Sequence, residues 1–524
     1  MRLICSMALL MSLLTQTVFG ATPKDMLVVL KNIDDIVSLD PAESYEFSGA
    51  ELLANIYQNL VQYDPADPNH VRPGLATRWS AGKDGHSIEF VLNPDARFAS
   101  ENGVRADDVV YSFRRVVHLN RAPAFILTQL GWTDANFDEM VKKTGDRTLT
   151  VLWKGDLSAG FVLNLLASRP ASIVDEKVVA THETSGDLGN TWLQQHSAGS
   201  GSYQLKLYKP REVVVLEAVS TSSAGAPKIK QLLFKNVTDG STQRLQLESG
   251  DADIARDLGP DQVAALKAGK DITVEAFPQA TVHFLSLNQK SEKLRNPAVW
   301  EALRYLVDYD AIANQLLAGQ MVVHQAFLPS GFAGALNENP YKYDPAKARE
   351  ILMKAGIKNL SIDVDLVNTP RFLNMAQSMQ ASMAKGGVTL NLLPGTAAQV
   401  ITRYRARKQE AILFYWRPDY FDPHSNGKAF AYNVDNSDTA PQSSATWRNA
   451  WLVPDLSAKT MTALAEYDAD KRAADYREIQ RIVQKNSPII VTFQEASQVA
   501  VRSNVKGFKV GPTPDLIWYA GVSK

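Results

Sequence analysis

From about Thr281 onward, short apolar runs alternate with amphipathic stretches of helical spacing, and this alternation constrains the fold more than any other feature of the chain. Residues 282–287, 362–366, 388–392, 411–415 and 489–493 are strand candidates. Between them, Pro297 begins a helix, Asp344-Pro345 starts another, and Gly356 ends it. Phe372, Ala376, Met379 and Met383 recur on one helical face closed by Gly386-Gly387, and read as core. The run 411–415 is continuously apolar, as a strand covered on both faces should be. The pattern predicts an α/β fold.

The first half reads differently. Residues 27–30 form a strand candidate, and Ser48-Gly49-Ala50-Glu51 has the spacing of a capping box ahead of a helix carrying Leu52, Leu53, Ile56 and Leu60. Ile88, Phe90 and Leu92 alternate as in a half-buried strand, Asp107-Asp108-Val109 opens a helix, and 149–153 is a further strand. A β-ribbon is expected at 203–208 and 212–218, turning at Lys209-Pro210-Arg211. At 524 residues, with 45% hydrophobic and 21% charged side chains, the chain can bury a large core and suggests roughly three domains.

Residues 1–20 are expected to be a cleavable secretory signal: Arg2, an apolar run from Leu3 to Leu14, and Val18-Phe19-Gly20 before Ala21. The single cysteine, Cys5, lies inside it and precedes most of the apolar run, so a lipid anchor is not expected and the mature chain has no disulfide. A large exported protein without disulfides fits a bacterial periplasm. A formal net charge of −1 gives no basic face for nucleic acid. The eight histidines form no zinc-protease pair, and no phosphate loop or nucleophile elbow is present. Binding is therefore favoured over catalysis, with no metal or other cofactor expected; a hydrolase is the reading set aside.

A series of segments then occurs in a telling order: Tyr63-Asp64-Pro65; Arg72-Pro73-Gly74-Leu75-Ala76 with Trp79; Asn93-Pro94-Asp95-Ala96-Arg97-Phe98; Asp107-Asp108-Val109-Val110-Tyr111; Gly199-Ser200-Gly201-Ser202-Tyr203; Leu247-Glu248-Ser249-Gly250; and Asn296-Pro297-Ala298-Val299-Trp300-Glu301-Ala302-Leu303-Arg304. In this order the mature chain resembles the periplasmic solute-binding proteins of peptide, nickel and opine ABC importers. The resemblance implies a two-lobed α/β binding protein with an inserted domain and a two-strand hinge. The corresponding division is 22–65, 190–280 and 490–524 for the first lobe, 66–189 for the insert and 281–489 for the second lobe. Strands 282–287 and 489–493 are the hinge candidates. The resemblance further implies a monomer that closes on a short peptide or peptide-like solute and delivers it to permease subunits of the inner membrane.

The candidate site is Trp416-Arg417-Pro418-Asp419-Tyr420-Phe421-Asp422-Pro423-His424, a loop at the carboxyl end of a buried strand. In peptide binders of this family the residue matching Asp419 pairs with the ligand's α-amino group, and an arginine near Arg371 takes the ligand carboxylate. Asp419 could instead cap a turn, and Asp422, before proline, reads as structural. Trp416, Phe421, His424 and Tyr404 are candidate walls, and Tyr45 and Glu46 are their candidates on the opposite lobe. Arg417 departs from the peptide binders: a guanidinium there repels an ammonium and attracts carboxylate or phosphate, unless it pairs with Asp419. The Arg-Pro-Asp-Tyr segment is similar to the opine-sugar (agrocinopine-type) branch, so an opine or sugar phosphate is the alternative ligand.

Overall fold

The computed structural model describes residues 22–223, 225–440 and 444–524; the expected signal and Cys5 lie outside the described residues. Among these, an eleven-stranded sheet runs through both lobes. At one end, Val388–Gly395, Leu360–Val367 and Ala411–Trp416 are parallel neighbours. Toward the other end, Met26–Lys31 runs parallel to Gln231–Asn236, which passes into the antiparallel ribbon of Val213–Ala218 and Tyr203–Lys209. A separate four-stranded antiparallel sheet, Ala76–Ala81, Ser87–Leu92, Thr148–Leu152 and Val141–Gly145, lies beside the helix Ala106–Leu119.

Two long antiparallel strands, Ile272–Leu287 and Ile489–Arg502, join the lobes. Their one end meets Ile254–Ala255 of the first lobe, and their other end meets Ala411–Trp416 of the second. The register shifts between Pro278 and Val282, and again between His283 and Phe284. Pro278 has no amide to give the ladder, which favours an irregularity at this point. The two irregularities flank the start of 282–287, one just before it and one at its second residue.

Three helices of the second lobe start on an Asx-Pro pair. Asn296, Asp344 and Asp422 each accept a backbone amide from the first turn, ahead of prolines 297, 345 and 423. The helix Pro370–Ala384 buries Phe372, Ala376, Met379 and Met383, so the methionine stripe is packing.

The capping box at Ser48 does not form. The helix spans Phe47–Ile56 with Glu46 at its N-cap, and Ser48 donates to the Asn32 carbonyl. Glu51 is drawn away by stronger partners: Lys31 at 2.7 Å, Arg256 at 2.9 Å and the Tyr519 hydroxyl at 2.6 Å. Two cations outbid a single backbone amide for a buried carboxylate. Leu60 lies beyond this helix, next to the strand Val61–Tyr63.

Candidate functional site

The buried strand Ala411–Trp416 ends where the lobes face each other, and residues 417–422 turn from it into the helix Pro423–Ala431. Opposite, the loop after Met26–Lys31 leads to Phe47–Ile56 and presents Tyr45 and Phe47, which keep 36% and 40% of their surface exposed. Between these segments is a cavity of about 160 Å³ lined by Tyr45, Phe47, Arg169, Thr281, Arg417 and Asp419. A larger cavity of about 700 Å³, with Phe421, Phe277, Tyr57 and Trp518 in its wall, shares Pro512 with the first.

Two carboxylates line the small cavity, Asp419 from the second lobe and Asp515 from near the C-terminus; Asp419 is the one on the strand-end loop. Its amide donates to Ser425 Oγ at 2.8 Å, which fixes the loop. Its side chain accepts the Tyr45 hydroxyl from the other lobe. Among the described residues it forms no ion pair with lysine or arginine. Burial raises its pKa, opposed by the Tyr45 hydrogen bond and by Arg169. Burial and the Asp419 charge together push the Tyr45 phenol up.

Arg417 does not pair with Asp419. Its Nε donates to Thr281 Oγ1 at 2.6 Å, an Nη stands 3.6 Å from Glu495, and its guanidinium lies 3.6 Å over the Phe47 ring. Arg371, in the first turn of Pro370–Ala384, donates to the other Glu495 oxygen at 2.8 Å. His283 Nε2 is 3.7 Å from the same carboxylate. Burial would push Glu495 up, but His283, Arg371 and Arg417 hold it well below the usual carboxylate range.

The other sequence candidates lie elsewhere. Trp416 is half-buried, with its ring edge-on to Phe430 and the Arg448 guanidinium 5.5 Å above it. Phe421 is 2% exposed and stacks on Phe332 at 3.9 Å. His424 is buried with Nδ1 3.0 Å from the Tyr476 hydroxyl, and burial takes its pKa down to about 3. Tyr404 is fully buried, its hydroxyl accepting from Asn449. Neither His424 nor Tyr404 lines the small cavity; each is committed to the core by a hydrogen bond. Glu46 accepts the Tyr45 amide at 3.1 Å. Asp422 caps its helix, takes a two-pronged Arg472 at 2.7 and 3.0 Å, and receives Asn164 at 2.9 Å.

The structure thus gathers Tyr45, Arg417 and Asp419 at one cavity and ties Arg371 to them through Glu495. Sequence reasoning missed Phe47, Arg169, Thr281 and Glu495. Only Glu495 left a trace, as an acidic residue two positions after the apolar run 489–493. Among the described residues no group of His, Cys, Asp and Glu is placed to hold a metal, and no helix is long and apolar enough to cross a membrane.

The family model for the middle part of bacterial extracellular solute-binding proteins, family 5, matches residues 70–438. The chain belongs to this family. This family 5 protein is 28% identical over 506 residues to the probable D,D-dipeptide-binding periplasmic protein DdpA of Escherichia coli K12, covering 95% of the chain and 94% of the relative. The DppA periplasmic binding protein of Helicobacter pylori, solved with the peptide STSA, superposes with a TM-score of 0.76 at 23% identity, covering 95% of the chain and 98% of that structure. MoaA of A. tumefaciens R10, solved with mannopinic acid, gives 0.73 at 20% identity, covering 96% and 99%. At these identities the structural likeness concerns the fold, which is the two-lobed α/β architecture of the family.

Proposed function

We propose that this family 5 protein is the periplasmic substrate-binding component of an ABC importer. It captures short peptides or peptide-like solutes between its lobes by hinge closure and hands them unchanged to the membrane permease. The observation that carries this reading is Asp419: a half-buried carboxylate between the lobes that forms no ion pair with a lysine or arginine among the described residues, Arg169, Arg448 and Lys428 acting on it only from a distance. A ligand ammonium supplies the missing counter-charge. The names of relatives such as DdpA point the same way.

The opine or sugar-phosphate alternative is weaker, because Arg417 and Arg371 already share the Glu495 carboxylate. In this reading the protein acts as a monomer without cofactor, exported by removal of residues 1–20 and not lipid-anchored. Calorimetric titration with Ala-Ala, D-Ala-D-Ala, their N-acetyl derivatives and a hexose phosphate tests it. Binding of a free-amine dipeptide, abolished by acetylation, with the dipeptide recovered intact by mass spectrometry, is the expected result. Equal binding of the acetylated form, or turnover, overturns it.

A further inference from the structure

We propose that Glu495 determines how many negative charges a ligand can bring to the floor of the cleft. The inference deepens the peptide reading and rests on it. Glu495 lies on the strand Ile489–Arg502 beside the crossing between lobes, where it pairs with Met321. Its side chain is 14% exposed, while the two guanidiniums that it holds, Arg371 and Arg417, are 37% and 30% exposed. Arg371 and Glu495 line a groove of about 750 Å³ whose other wall includes Arg256 and Asp257 of the first lobe. Arg417 lines the small cavity of Asp419. The Glu495 cluster therefore joins two spaces open to a ligand.

The charges there are two guanidiniums and one carboxylate, with His283 driven towards its neutral form by burial. Across the groove Arg256 and Asp257 are of opposite sign to each other, and the Glu495 cluster itself carries a surplus of one positive charge. A single ligand carboxylate can meet it, and a guanidinium is suited to that contact. A second ligand carboxylate meets Glu495 itself, and like charges at an interface are penalised. The cations acting on Asp419 are Arg169, Arg448 and Lys428, a different set from those acting on Glu495. Asp419 forms no ion pair with Arg417 or Arg371, so Glu495 acts chiefly at the ligand's acid end. Removing its charge frees a second guanidinium and turns the floor into a site for two acidic groups.

The test compares Ala-Gln with Ala-Glu by calorimetry on the wild-type chain and on Glu495→Gln, which keeps the side chain's shape. Wild type should prefer Ala-Gln by about tenfold or more, and Glu495→Gln should erase or reverse that preference. Arg371→Gln combined with Glu495→Gln restores the surplus of one charge and should restore the wild-type preference, an outcome that altered packing alone does not produce. In a parallel melting experiment at fixed ionic strength, inorganic phosphate in place of chloride should stabilise Glu495→Gln and leave wild type unmoved. If neither dipeptide binds any form, the peptide reading fails, and the phosphate arm still decides the role of Glu495. An unchanged preference together with no phosphate response overturns the proposal. Should Glu495→Gln not fold, wild-type indifference between the two dipeptides overturns it equally.

Discussion

Tyr45 and Asp419 stand 374 residues apart in sequence and meet across the cleft, the phenol hydroxyl of one lobe donating to the carboxylate of the other. The contact makes Asp419 part of the surface that closes. It satisfies only part of the carboxylate's acceptor capacity, since an ionised carboxylate has about four lone-pair sites. The rest can receive an ammonium.

Asp419→Ala should weaken peptide binding by about two to three decades. Stripping one partner from a buried charge pair costs about 2–5 kcal/mol. Tyr45→Phe keeps the ring and loses one hydrogen bond to a charge, about 1.5–3 kcal/mol, so a loss of roughly tenfold or more is expected. Arg417→Ala cancels the surplus positive charge of the Glu495 cluster and should weaken binding of a free-carboxylate peptide, by less than Asp419→Ala does. Titration calorimetry measures all three, and unliganded melting curves should stay at wild type. If neither Asp419→Ala nor Tyr45→Phe costs tenfold, the 416–424 loop is not the ligand wall.

Peptide affinity should fall on acidification earlier than an ordinary carboxylate would allow. The ammonium needs Asp419 ionised, and burial raises the Asp419 pKa. Affinity is present above that raised pKa and is lost as pH falls through it, that is, above the ordinary value of about 4. Calorimetry across pH reads the midpoint, and Asp419→Ala should flatten the profile.

Ligand should compact the molecule and stabilise it. The strands Ile272–Leu287 and Ile489–Arg502 join the lobes through a register break at residues 278–282, a natural place for hinge motion. At a hundredfold excess over Kd, binding adds about 2.7 kcal/mol to stability. A raised Tm together with an unchanged radius of gyration in solution scattering would refute closure.

Glu51→Gln should destabilise the first lobe without touching the ligand loop. Glu51 is 1% exposed; burial pushes its pKa up, but Arg256 and Lys31 prevail and hold it at about 2. Its folded pKa is depressed, so its stabilisation is complete above the ordinary 4.5 and is lost as pH falls towards 2. The shift corresponds to on the order of 3 kcal/mol. Removing the charge leaves two buried cations without it, a loss of about 3–5 kcal/mol. Urea unfolding of both forms, at neutral and acid pH, measures the two effects.

Local chemistry by itself determined much of this protein. The alternation after Thr281, the Asx-Pro helix starts and the Phe372–Met383 stripe are each encoded within a few residues, and they formed as the sequence implies. So did the exit of the strand Ala411–Trp416 into the loop bearing Asp419. The hinge strands were only half legible, because Glu275, Pro278 and Gln279 interrupt the apolar pattern and the strand persists there through pairing with its partner. Tertiary structure alone decided which carboxylate each cation meets. Arg417 had a carboxylate two residues away and took Glu495 instead; Glu51 had a helix end beside it and took Lys31 and Arg256. Charges pair according to distance and desolvation in space, and sequence spacing carries little information about either.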